Sequence, residues 1–108
     1  MANNYKFKGV ALATTDQTNI VTAATGETLI IRSINITNNT ANTPTVTLDV
    51  TDTSASASYQ ILRTHGLTAN TSEELITEPL VLEVGDILKA TMDATDSVHI
   101  TLSYLAIT

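Results

Sequence analysis

The chain has 108 residues, of which 43% are hydrophobic and 15% are charged, with a net charge of −6 and no cysteine. A chain of this length forms one domain around one core. Five basic residues against eleven acidic ones argue against a nucleic-acid partner, and the lack of cysteine excludes disulfides and thiolate metal sites. No apolar run has membrane-spanning length, so we expect a soluble protein made in the cytoplasm, with no membrane partner.

The residue types favour strands over helices. About one residue in five is Thr, and Val and Ile are also frequent. Such β-branched side chains have restricted rotation and suit a pleated surface. With one Phe, three Tyr and no Trp, the core has to be built from aliphatic side chains. We therefore expect an all-β chain with an aliphatic core.

The first predicted element runs from Tyr5 to Leu12. Tyr5 and Phe7 occupy odd positions, whereas the apolar residues after Gly9 occupy even positions. A shift of one residue moves the apolar side chains to the other face of a strand, which predicts a β-bulge or a sharp bend at Gly9. We interpret residues 1–12 as either an edge strand or an N-terminal arm that docks on a neighbour.

The next predicted strand, Thr28–Thr37, is long. Ile30, Ile34 and Ile36 share one face in strict alternation, and Arg32 interrupts that face. The beginning of the strand is apolar on both sides.

Turn signals rich in Gly, Asn, Asp and Ser separate short strands along the rest of the chain. Thr45–Thr51 has the clearest alternation of apolar and polar residues. Gly85 and Asp86 stand between two apolar segments, and we expect a hairpin there because Gly supplies the positive φ of a tight turn. The remaining predicted strands are Tyr59–Thr64, Thr71–Ile76, Leu80–Val84, Ile87–Met92 and Val98–Ala106.

The last strand becomes apolar on both faces at its end. One face alternates regularly from Val98 onward, but Leu105 and Ile107 stand on the otherwise polar face. Something must cover that face, and a partner subunit is one candidate. Together with Tyr5 and Phe7, these residues are the expected contacts of an oligomer or partner.

About eight short strands and no helix predict a single small antiparallel β-sandwich of jelly-roll type over residues 1–108. Strands of this length divide naturally into two packed sheets. The sequence shows no internal repeat, no linker and no second domain.

Asp93, Asp96 and His99 form the one cluster that could hold a hard cation. Their spacing matches no known ligand loop, and a calcium site needs more oxygen ligands. Asp residues at turns usually accept hydrogen bonds from their own backbone. We interpret the cluster as structural and predict no metal site, while the sequence leaves open whether these residues bind an ion.

No catalytic constellation can be assembled from the remaining polar residues. His65 belongs neither to a zinc pattern nor to a nucleophile motif. Glu73 with Glu74, and Glu83 with Asp86, are adjacent carboxylates at turns, and nothing nearby would raise one pKa as acid and base catalysis requires. We therefore predict a non-enzymatic protein without a cofactor.

The strand and turn pattern resembles that of small virion structural proteins of tailed bacteriophages. The matching segments are Leu82–Asp86, then Leu88 and Lys89, then Leu102–Leu105, and in the front half Thr28–Asn38 followed by Val46–Asp52. The resemblance covers most of the chain and is weakest up to Ala24. It marks a fold, so no functional residue is carried over from it.

The resemblance implies a β-sandwich located in the virion. The leading hypothesis is a capsid decoration or cement protein that binds the major capsid protein, or other virion proteins, as a symmetric homo-oligomer, with a trimer favoured. One alternative is a neck, tail or baseplate component. Another is a receptor- or glycan-binding module, although sugar platforms usually present more aromatic rings than this chain has.

Overall fold

The computed structural model describes residues 3–76 and 78–108, and the described chain is all-β, with two antiparallel sheets. The two sheets share one core, as in a β-sandwich. The described residues form nine strands in chain order: β1 (Asn3–Leu12), β2 (Thr18–Thr22), β3 (Thr28–Asn38), β4 (Thr45–Asp52), β5 (Ala57–Gly66), β6 (Ser72–Glu74), β7 (Leu80–Leu82), β8 (Ile87–Met92) and β9 (Val98–Ile107).

One sheet, called sheet A below, has the order β1-β9-β3, and both β6 and β7 pair with the far side of β3. The other, called sheet B, has the order β2-β8-β4-β5. In both sheets every pair of neighbouring strands is antiparallel. The chain therefore crosses between the sheets at most of its turns, and only β4 and β5 form a simple hairpin.

The core lies between the inner faces of the two sheets and is aliphatic, as the composition predicts. Ile34 and Ile36 of sheet A and Leu48 and Leu88 of sheet B are all fully buried. Each such side chain contributes about 1.5–3 kcal/mol when it leaves water. No aromatic side chain of the described residues belongs to the buried cluster.

Strand β2 was not among the predicted strands, because a bulge removes its alternation. Asn19 pairs with Lys89 and Val21 with Leu88, which leaves Ile20 as the extra residue of the bulge. Ile20 and Val21 are consequently both buried although they are adjacent in sequence. A pattern with period two cannot detect such a strand.

The predicted hairpin at Gly85 and Asp86 is wrong, because β7 pairs with β3 in sheet A while β8 lies in sheet B. The turn itself is tight: Gly85 has a φ of 87°, and Asp86 N donates to Glu83 O at 2.9 Å. Ala23, next to β2, exchanges backbone hydrogen bonds with Gly85 and Asp86. These bonds direct the chain into sheet B instead of back along β7.

The predicted bulge at Gly9 is also wrong. Strand β1 pairs with β9 without interruption from Asn3 to Leu12, and Gly9 lies opposite Thr101. The change of parity has a different cause, since Tyr5 and Phe7 are on the outer face of the sheet, whereas Val10 and Leu12 face the core. Strand β1 lies at the edge of sheet A.

A bulge occurs instead in β3 at Arg32, where the register with β9 shifts between Ile31 and Ser33. Leu29 and Ile31 therefore share the buried face with Ile34. The predicted grouping of Ile30 with Ile34 and Ile36 on one face is wrong, because the bulge places Ile30 on the outer face. The exposed Arg32 marks the point where the pattern changes.

Candidate interaction surface

The four expected contact residues all lie on the outer face of sheet A. Tyr5 pairs with Leu105, and the neighbouring pairs place Phe7 and Ile107 two residues away on the same face. Tyr5 and Phe7 are 79% and 71% exposed, whereas Leu105 and Ile107 are partly covered by their neighbours. The fold thus brings residues from the two ends of the chain onto one surface.

Two further apolar residues extend this surface across the sheet. Leu105 pairs with Ile30 on its other side, and Ile30 pairs with Val81 of β7. Tyr5, Leu105, Ile30 and Val81 therefore form one line across four strands, called the apolar row below. Val81 is 53% exposed. Ile30 does not stand out in the sequence because of the bulge in β3, and Val81 does not because it lies in a segment that is apolar on both faces.

The three strands that carry Tyr5, Leu105 and Ile30 of the apolar row lack negative charge, although the chain as a whole carries −6. No Asp or Glu occurs in β1, β3 or β9. Ser103 and Ser33 form the neighbouring row. On the far side of β3 the face is acidic, because Glu74 is exposed in β6 and Glu83 directly follows β7, so two copies of the chain avoid opposing acidic groups only where they meet over β1, β9 and β3.

The expected cation cluster consists of groups that already hold the turns together. Asp93 Oδ1 accepts a hydrogen bond from Thr45 N at 2.8 Å, and Asp96 Oδ1 accepts one from Asn42 Nδ2 at 2.9 Å. The Nδ1 of His99 lies 3.2 Å from an asparagine Nδ2. Within residues 3–76 and 78–108 no group of three or more His, Asp and Glu is placed to hold a metal ion.

The adjacent carboxylates are likewise used by the fold. Glu73 Oε1 lies 2.8 Å from His65 Nε2, an ion pair when His65 is protonated, which joins the edge of sheet B to the edge of sheet A. Asp86 is buried, and its two oxygens accept hydrogen bonds from Thr53 N at 3.1 Å and Glu83 N at 3.0 Å. Glu83 and Asp86 therefore do not face each other as a carboxylate pair.

Two shallow open grooves lie on the molecule. One, of about 360 Å³, runs beside Phe7 on the outer face of sheet A and ends at His99. The other, of about 370 Å³, lies at the opposite edge of the sheet, between Ile61 of β5 and residues 75–76 and 78–80. Both are open to solvent, and such shapes suit a partner surface better than an enclosed small molecule.

The part of the chain that the structure describes contains no helix that could span a membrane. Among the described residues, the apolar row and the two open grooves are the candidate contact sites for a partner. Compared with protein-family models, with curated proteins and with solved structures, the chain matches none of them.

Proposed function

We propose that this chain is a non-enzymatic virion structural protein, most concretely a capsid decoration or cement protein of a tailed phage that assembles as a symmetric homo-oligomer. The observation that carries the self-association is the apolar row on the outer face of sheet A, formed by Tyr5, Leu105, Ile30 and Val81. The phage assignment is supported by the resemblance of the strand and turn pattern. A trimer is the favoured state.

The apolar side chains of this face supply a large part of the free energy that association requires. A fully buried apolar side chain contributes about 1.5–3 kcal/mol, so the four side chains of the apolar row together with Phe7 and Ile107 offset a large part of the entropy lost on association. Large exposed apolar patches on a soluble protein usually mark a contact site. A stable contact buries about 800 Å² on each partner, which requires more of the surface than the row alone.

We further propose that the two sheets have jelly-roll topology. Strands β6 and β7 pair with successive parts of β3, and we regard them as two halves of one interrupted strand. The strand orders then become β1-β9-β3-β6/β7 and β2-β8-β4-β5, with eight strands in two sheets of four. Viral capsid domains are among the proteins that use this architecture.

In a decoration role the protein would act by mass action. A protein that binds the assembled shell but not its free subunits stabilises the shell by an amount that grows with occupancy. The major capsid protein, or another virion protein, is the proposed partner. The acidic surface elsewhere on the molecule suits the outside of a shell better than an interior that faces DNA.

The self-association is tested by the double variant Leu105→Asp and Ile107→Asp. Two charges on the outer face of sheet A should leave a folded monomer, measured by sedimentation equilibrium together with circular dichroism. The matched control is Asn19→Asp with Gln60→Asp, which adds the same charge at exposed positions of sheet B and should keep the oligomer. A Leu105/Ile107 variant with the oligomer mass of the wild type would refute the contact.

The virion role is tested by the copy number of the chain in purified particles of the virus that encodes it, using quantitative mass spectrometry against the major capsid protein. A ratio near that of the capsid protein supports the decoration role. A few copies per particle would assign the chain to the neck, tail or baseplate. Its absence from particles would favour the receptor- or glycan-binding module instead.

A further inference from the structure

The lateral edges of the two sheets differ in how well they are protected against pairing with another chain. Strand β2 has five residues and a bulge, and β6 and β7 have three residues each. Strand β5 has ten residues, but its register with β4 shifts twice, and Thr64 adopts a φ of 43°. Short length and bulges are usual devices that prevent a strand from being added at an edge. These three edges are therefore poor templates for a further strand.

Strand β1 forms the remaining edge and lacks both devices. It has ten residues and pairs with β9 without a register shift from Asn3 to Leu12. Among the described residues it has no partner on its other side, so alternate backbone N–H and C=O groups along about 33 Å of strand point away from the sheet. Every residue from Asn3 to Gly9 is exposed. The β1 edge can thus accept an extended segment as a further strand.

A groove lies next to this edge on the outer face of sheet A. Its lining includes Phe7, Gly9, His99 and Thr101, and its volume is about 360 Å³. A Cβ at Gly9 would lie 3.8 Å from the ring of Phe7 and 3.9 Å from Thr101 Cγ2, so the missing side chain leaves room between them. Directly opposite residues of an antiparallel pair place their side chains on the same face. A residue added opposite Gly9 would therefore extend its side chain into this groove.

The other face of β1 carries two lysines without an ionic partner. Lys6 pairs with Tyr104 and Lys8 with Leu102, which places both lysines on the core-side face of sheet A, and both are exposed there. Neither forms an ion pair with a described residue. In an added antiparallel strand, the residues one and three positions after the one opposite Gly9 lie opposite Lys8 and Lys6. Carboxylates at these two positions would pair with the lysines.

A second copy of β1 does not have this chemistry. The strand contains no acidic residue. A two-fold pairing of two β1 strands that keeps both outer faces on one side, centred on any of residues 6–8, sets a lysine opposite a lysine. Like charges directly opposite each other destabilise a strand pair. The lysines therefore disfavour pairing of the edge with itself and favour an acidic strand from a different protein.

We propose that the β1 edge binds an extended segment of another protein as an additional antiparallel strand. The segment has a large apolar residue opposite Gly9 and acidic residues opposite Lys8 and Lys6. In this mode of recognition main-chain hydrogen bonds supply affinity, whereas the groove and the two lysines supply specificity. The antiparallel direction is favoured because antiparallel pairing is slightly more stable. The contact does not depend on the self-association proposed above, and within the proposed function the partner is another virion protein.

The probe is a dye-labelled peptide with the sequence TTFEVETT, titrated with the full chain and followed by fluorescence anisotropy. Its phenylalanine would lie opposite Gly9 and its two glutamates opposite Lys8 and Lys6. A shuffled peptide, TTFEEVTT, has the same composition but sets only one glutamate opposite a lysine, so it should bind several-fold more weakly. The peptide TTAEVETT lacks the side chain for the groove and should bind about tenfold more weakly.

Two variants of the chain test the two sources of specificity. Lys6→Glu with Lys8→Glu should weaken binding of TTFEVETT about tenfold or more, because like charges then face each other, and should bind TTFKVKTT instead. The control Arg32→Glu with Arg63→Glu changes the net charge equally at exposed positions outside β1 and should bind TTFEVETT as the wild type does. Gly9→Val fills the groove. Because a Cβ there meets only ordinary contacts, this variant should fold and lose the preference for phenylalanine over alanine.

Circular dichroism of each variant shows whether the sheets remain folded. The proposal is overturned if the wild-type chain binds TTFEVETT no better than TTFEEVTT, or if the lysine variant behaves like the arginine control. The two lysines would then only protect the edge from pairing. A monomeric chain that binds the peptide with the stated preference would keep this contact and reject the self-association, whereas an oligomer that does not bind it would do the reverse.

Discussion

The outer faces of the two sheets differ sharply at equivalent places. Across sheet A, the apolar row joins Tyr5, Leu105, Ile30 and Val81. Across the four strands of sheet B, a row in the same kind of register consists entirely of polar residues: Asn19, Lys89, Asp49 and Gln60. Next to it, Thr47 and Thr91 form a threonine pair on the same face.

The outer face of sheet B is suited to contact with water, whereas the outer face of sheet A is suited to contact with another apolar surface. The row on sheet B has side chains of both charges, and Asp49 Oδ2 accepts a hydrogen bond from Gln17 Nε2 at 3.0 Å, whereas Asp49 Oδ1 is buried without a hydrogen-bond partner among the described residues. The apolar row has no such partners within the chain. A β-sandwich needs only its inner faces for its core, so the apolar outer face of sheet A contributes cross-strand contacts but no core, and this supports the proposed association.

The largest expected effect on self-association comes from replacing Ile30 and Val81, the two residues of the apolar row that do not stand out in the sequence. Ile30→Thr with Val81→Thr keeps β-branched side chains at both positions and should weaken self-association about a hundredfold or more, since two buried apolar side chains contribute about 3–6 kcal/mol. Sedimentation equilibrium measures the change. Asn19→Thr with Gln60→Thr on sheet B is the control. If the two double variants weaken association equally, the outer face of sheet A is no more important for association than that of sheet B.

A variant at the buried Asp86 should lower the stability of the fold and leave the association of folded chains unchanged. Asp86→Ala leaves Thr53 N and Glu83 N without their carboxylate acceptor, and a hydrogen bond to a charged group contributes about 1.5–3 kcal/mol. We expect the free energy of unfolding in urea to fall by about 2–4 kcal/mol, with the association of folded chains unchanged. A stability equal to that of the wild type would contradict the structural role of Asp86.

A smaller effect is expected for Gly85→Ala. The residue has a φ of 87°, and a Cβ there would lie 3.3 Å from Thr53 Cβ, so both backbone strain and contact disfavour alanine. The expected loss of unfolding free energy is about 1–2 kcal/mol. Gly26→Ala has a similar φ of 77° but meets nothing within 4 Å, so it isolates the strain. Equal losses in the two variants would show that the Thr53 contact is harmless.

The smallest effect is expected at the ion pair between the edges of the two sheets. Both side chains are more than a third exposed, so solvent screens the interaction between His65 and Glu73. Glu73→Gln should change the free energy of unfolding by about 0.2–1 kcal/mol, which is typical of exposed pairs, and should leave the outer-face contact intact. Thermal unfolding measures this, and a loss of several kcal/mol would assign the pair a larger part in holding the edges together.

Much of the fold could be predicted because local alternation decides it. Thr45–Thr51 and Val98–Ala106 lie within observed strands, since each buries one face and exposes the other without interruption. The expected contacts Leu105 and Ile107 were also found locally, as apolar residues on a polar face. Ile20 and Ile30 could not be placed in this way, because a single bulged residue exchanges the faces of a strand.

The residue order alone was enough to predict the β-structure, the aliphatic core and most strand positions, and it singled out apolar residues near both ends of the chain as candidate contacts. Alternation with period two and residue type are properties of a few neighbouring residues, so they can be recognised in the sequence alone. Two features follow from the three-dimensional packing alone. The turn at Gly85 leads the chain into the other sheet, and the apolar row brings together Tyr5, Ile30, Val81 and Leu105. Strand partners and register depend on packing between segments far apart in the chain, which no local pattern records.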